Sequence, residues 1–125
     1  MPDFHRATVP RSLRVAEEVQ RILGEVFLTK VQVLSAGMLT VTHVDISRDL
    51  RIARVYLSFL NPSASKEEVL GELLRHRKEI RYHLGTELRT KYVPELRFYL
   101  DESVERSARI QSILEDLHRD ETDAG

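Results

Sequence analysis

The sequence predicts a single α+β domain, a small sheet covered on one face by helices, on three observations. One apolar stripe recurs at helical spacing near the start. Two β-branched runs flank a short polar turn. A stretch from about 66 to 100 then reads as helix, kink, helix and strand. The 125 residues suit one domain, and 42% hydrophobic with 31% charged suits a cored, water-facing protein.

Thr8 and Pro10 mark a helix entrance, because proline is tolerated in a first turn. Leu13, Val15, Ala16, Val19, Ile22, Leu23, Val26 and Phe27 then recur at three- and four-residue steps and predict a helix over roughly 10–28. Ser35, Ala36 and Gly37 break that period. The runs Leu39–Ser47 and Arg51–Leu60, joined by Arg48, Asp49 and Leu50, predict an antiparallel hairpin. In the second run Ala53, Val55, Leu57 and Phe59 alternate with Arg54, Tyr56 and Ser58, so one face is buried and the other wet.

Asn61, Pro62 and Ser63 end that strand, and Ser65 with Glu68 has capping-box spacing. Val69, Leu70, Leu73 and Leu74 are assigned to the inner face of the helix that follows. The next inner positions, Ile80, Leu84 and Leu88, begin six residues after Leu74, which is no helical repeat, so a kink is expected near 76–78. The second of the paired helices should stop before Pro94. Leu96, Phe98 and Leu100 alternate with Arg97 and Tyr99 as a third strand. Val104, Ala108, Ile110, Ile113, Leu114 and Leu117 then suggest an amphipathic helix ending in a polar, frayed tail.

Several chemistries are closed. Without cysteine there is no disulfide, thiol nucleophile or thiolate metal site. No phosphate loop, nucleophile elbow, HExxH or EF-hand motif occurs, and no convergent carboxylate pair can be named, so we expect no enzyme. His76 and His83 lie seven apart without a third ligand, which implies no metal site. The opening residues hold no continuous apolar segment and no window approaches membrane-spanning length, so the expected setting is cytoplasmic.

Charge is the informative quantity. The net −1 divides into +4 over residues 1–100 and −5 over residues 101–125. A basic body with an acidic end suits a polyanionic partner. Arg75, Arg77, Lys78 and Arg81 cluster at the expected kink, and Arg89 and Lys91 extend the run to the end of the following helix. Such side chains neutralise phosphates and release counterions, which dominates nucleic-acid affinity. Arg11 and Arg14 add a pair on the outer face of the first helix. The bland alternative is a solvated face on which Glu72 and Glu79 pair with Arg75 and Arg81. Free aromatics are few, mainly Tyr56, Tyr82, Tyr92 and Tyr99, which favours backbone and shape recognition over base stacking.

Three blocks, RSLRVAEEVQRIL, LTVTHVDISRDLRIARVYLSFL and IRYHLGTELRTKYVPELRFYLDES, resemble the bacterial ribosome-binding factor A family in order and spacing over roughly residues 11–103. The resemblance implies a KH-like domain of the type II order, assigned to 1–103; the acidic C-terminal helix and tail over 104–125 lie outside the strong match and rest on apolar spacing and composition. It also implies an RNA-binding assembly factor that associates with free small ribosomal subunits and assists late maturation of their RNA, with importance in the cold. No cofactor is implied, and the chain is expected to be a monomer. Family members usually carry Ala-x-Gly between the paired helices, where this sequence has His76, Arg77 and Lys78. Either the bend is gentler here, or basic side chains replace close backbone approach, which shifts the expected contact from backbone to side chain. A second reading of the same features is a non-catalytic interaction or dimerisation module.

Overall fold

A computed structural model describes residues 10–102. The elements are α1 (Arg11–Thr29), a 3-10 turn (Leu34–Ala36), β1 (Met38–Ile46), β2 (Ile52–Leu60), α2 (Lys66–Arg75), α3 (Arg77–Glu87) and β3 (Glu95–Leu100). The C-terminal helix and tail expected over 104–125, together with Thr8, lie outside the described residues. No described helix is long and apolar enough to cross a membrane.

The sheet order is β1-β2-β3, with β1 antiparallel and β3 parallel to the central β2. A parallel pair needs a crossover, and α2 and α3 supply it. This is the helix-strand-strand-helix-helix-strand order expected of a KH-like domain.

The hairpin closes where Leu50 takes φ 62, a left-handed value uncommon for leucine. Asp49 stabilises the turn by accepting from Ser47 Oγ at 2.7 Å and from the Arg51 N–H at 3.1 Å. These two bonds hold its carboxyl below the ordinary carboxylate value. The ladder slips between Val41 and His43, a bulge, and Gln20 of α1 donates to the carbonyls of Val41 and Thr42 beside it. At the other end of β1, Gly37 has φ 66, and a Cβ there would lie 2.3 Å from the Leu60 carbonyl oxygen. Only glycine lets β1 begin so close to the end of β2.

One core forms between the inner sheet face and the helices. β2 contributes Ala53, Val55 and Leu57, all fully buried, and β3 contributes Leu96. Val19, Ile22, Leu23, Val69, Leu73, Ile80 and Leu84 meet them from the helices. Phe98, which alternation puts on the same side of β3 as Leu96, is half-buried and packs against this core. Two assignments to inner faces are corrected: Leu13 and Leu74 are exposed. Leu13 lies in the first turn of α1, and Leu74 sits one step past Leu73, beyond the buried arc of a ten-residue helix.

Candidate nucleic-acid interface

The interface is built on the junction between α2 and α3. α2 starts as its sequence requires, with Ser65 Oγ accepting from the Glu68 N–H at 3.2 Å and Glu67 and Glu68 in the first turn, where the macrodipole favours acids. It stops because His76 leaves the helical region at φ −93, ψ 4. His76 closes α2 through its N–H on the carbonyls of Leu73 and Leu74, and its own carbonyl accepts from Ile80 at 2.9 Å to open α3. One residue therefore makes the break. Neither glycine nor alanine is needed there, because φ is negative and the His76 side chain is only partly buried.

The break sets Arg75 at the end of α2 and Arg77 and Lys78 in the first turn of α3, all exposed. The acids that the alternative reading pairs with this cluster are engaged elsewhere. Glu72 reaches the 3-10 turn, where its carboxylate accepts from the Leu34 and Ser35 N–H groups at 3.1 Å each and from the Ser35 hydroxyl. The Ser35 hydroxyl is the largest influence holding the Glu72 carboxyl below its ordinary value. Glu79 turns back to His76 Nδ1 at 3.3 Å. Among the described residues, Arg75, Arg77 and Lys78 have no ion-pair partner.

Arg81 differs. Its Nη2 donates to the Val93 carbonyl at 2.8 Å, fastening the loop after α3 to the helix. That takes one of the five guanidinium N–H donors and leaves the charge on an exposed side chain. Arg89 and Lys91 are not at the end of a helix. α3 stops at Glu87, where Leu88 turns extended at ψ 125 and is buried, seven residues before Pro94 would forbid continuation. Both cations therefore stand on the loop to β3, exposed, with Lys91 Nζ 5.4 Å from the Tyr92 ring centre. Arg11 and Arg14 are exposed at the start of α1. The structure thus joins Arg75, Arg77, Lys78 and Arg81 around one junction and places the other four cations on α1 and the loop.

A second cationic position escaped sequence reasoning. On the outer sheet face Arg54 of β2 and Arg97 of β3 are register partners, beside the neighbouring partners Tyr56 and Tyr99, whose rings stack 5.5 Å apart. Strand alternation placed each on a wet face, but only the parallel register brings them side by side. Arg97 is paired with Glu95 at 3.4 Å, and Arg54 lies opposite Asp45, so this position is less basic than the junction.

The chain matches the ribosome-binding factor A family over residues 11–114. It belongs to the ribosome-binding factor A family. A relative in Opitutus terrae, ribosome-binding factor A, is 38% identical over 109 residues, 87% of this chain and 88% of the relative. The fold agrees with the crystal structure of ribosome-binding factor A from Thermus thermophilus, with TM-score 0.65 and 22% identity over 74% of this chain and 97% of that one. It also agrees with a Thermus thermophilus ribosome-binding factor A homology model fitted into the cryo-EM map of a 30S complex, with TM-score 0.57 and 23% identity over 70% of this chain and 91% of that one. The break between the paired helices falls at His76, and it is lined with cations.

Proposed function

We propose that this chain is a small-subunit assembly factor that binds structured ribosomal RNA through the α2–α3 junction. Arg75, Arg77 and Lys78 make the principal phosphate contacts, Arg81 joins them with its remaining donors, and Arg89, Lys91, Arg11 and Arg14 extend the footprint. The protein acts in the cytoplasm on the free subunit, late in its maturation, and performs no chemical turnover.

The observation that carries the reading is the diversion of Glu72 to Ser35 and of Glu79 to His76, which leaves three adjacent cations uncompensated. An uncompensated cation gains more from a phosphate than one already paired, because no ion pair must be broken first. The 30S complex of the Thermus thermophilus relative supports the choice of partner.

Sedimentation through sucrose gradients with free small subunits, at two salt concentrations, tests the reading. Four phosphate contacts on helical RNA give a log–log salt slope of roughly −3.6, so affinity should fall on the order of 150-fold between 50 and 200 mM salt. Retention that ignores salt, or absent co-sedimentation at low salt, contradicts it.

A further inference from the structure

The outer sheet face carries a row of three rings that crosses all three strands. His43 of β1, Tyr56 of β2 and Tyr99 of β3 are successive register partners, with ring centres 5.7 Å apart for the first pair and 5.5 Å for the second. Simple alternation would not build it. Leu39 and Val41 pack against the core, so an unbroken strand would send His43 the same way. The bulge between Val41 and His43 re-aims the strand, leaving His43 exposed and Val44 buried in the core. Gln20 braces that bulge from α1.

The row is open at one end. Tyr56 and Tyr99 stack with 27° between their planes, so Tyr56 takes one face of the Tyr99 ring and the other turns to the edge of β3. Tyr99 is 40% exposed, and no ring among the described residues covers that second face. An uncovered π surface can stack one more flat ring. Two residues back along each strand, about 6.7 Å away, stand Arg54 and Arg97. Arg54 has no ion-pair partner among the described residues, and the Arg97 pair with Glu95 is exposed and easily exchanged for another anion. Rings and guanidiniums therefore lie side by side at a spacing comparable with that of base and phosphate in one nucleotide. Asp45 and Glu95 keep this face from attracting a polyanion by charge alone, so the rings must contribute. An acidic peptide would use the arginines and leave the rings idle.

We propose that the outer sheet face is a second RNA site, which takes an unpaired nucleotide with its base stacked on Tyr99 as the fourth ring of the row and its phosphate held by Arg54 and Arg97. A base must leave its own helix to stack there, so the site selects unpaired RNA over duplex. α1, α2 and α3 pack on the opposite face, so this site and the α2–α3 junction can be occupied together. The junction grips structured RNA while the sheet holds an unpaired segment. Only the identity of the polymer rests on the RNA-binding reading.

Short oligoadenylate, which offers unpaired purine rings, tests the site on the full chain without subunits, so its result and that of subunit sedimentation are read separately. Titration should move the ring signals of Tyr99 upfield and leave those of Tyr82 and Tyr92 in place. Tyr99→Ala should weaken binding about fivefold or more, whereas Tyr99→Phe, which keeps the ring, should stay within about twofold of the unaltered chain. Arg54→Ala should make the log–log salt slope shallower by roughly 0.7. Hexaglutamate at equal concentration should move no ring signal. Shifts confined to Tyr82 and Tyr92, affinity unchanged by Tyr99→Ala, a salt slope unchanged by Arg54→Ala, or equal Tyr99 shifts with hexaglutamate would overturn the proposal, the last result assigning the face to an acidic peptide.

Discussion

The Arg81 guanidinium clamps Val93, twelve residues further along the chain, through a 2.8 Å bond from Nη2 to the backbone carbonyl. Gly85, one turn after Arg81, completes the contact, since a Cβ there would lie 2.9 Å from Val93 Cγ2. The clamp sets where Arg89 and Lys91 stand, so Arg81 serves loop geometry as well as charge. Arg81→Ala should cost about 1 kcal/mol of stability and speed amide exchange over residues 89–93, while exchange in β2 is unchanged. Unaltered loop exchange would show that the clamp is not holding the loop.

The Glu72 bonds to Leu34 and Ser35 predict a pH effect. The folded carboxyl is held below its ordinary value of 4.5, so the charged form favours the native state. Its contribution is complete above about pH 4.5 and is lost as pH falls through the lowered folded value. Glu72→Gln should flatten the decline in melting temperature below pH 4.5 and speed exchange at Leu34 and Ser35. A parallel decline in both proteins would show that other carboxylates carry it.

Gly37 is the least replaceable residue at the mouth of the sheet. Gly37→Ala meets both a left-handed φ and the Leu60 carbonyl, so β1 and the end of β2 must separate. Thermal unfolding should shift down by more than for Gly24→Ala, where a Cβ meets nothing within 4 Å and helix propensity improves. Equal shifts would remove the close approach as the cause.

Burial sorts the leucines. Leu57→Ala opens a cavity at the centre of the sheet and should cost about 2–5 kcal/mol. Leu74→Ala, on an exposed site, should stay within about 0.5 kcal/mol. Denaturant melts of the two variants decide, and a large cost at Leu74 would restore it to the inner face where helical periodicity placed it.

That misplacement shows what sequence can reveal. Elements and their order were legible because periodicity, the Ser65 cap and the six-residue step to Ile80 are local signals, each matched within a residue or two. The arc of a short helix that touches the core depends on its tilt against neighbours, which spacing does not encode. The junction cations were legible as a cluster, but their freedom from Glu72 was not. That carboxylate bonds a turn 37 residues earlier, where intrahelical spacing pointed to Arg75. The end of α3 was misjudged for a related reason, because Leu88 keeps the helical spacing but is buried from an extended backbone.

The central claim is that uncompensated cations at the α2–α3 junction grip small-subunit RNA, and Arg77→Glu with Lys78→Glu tests it most directly. Both lie in the first turn of α3, where acids suit the macrodipole, so melting temperature should hold or rise slightly. Binding to free small subunits, measured by sedimentation at fixed low salt, should weaken at least tenfold, with a shallower salt slope. Undiminished binding by this well-folded double variant would contradict the account.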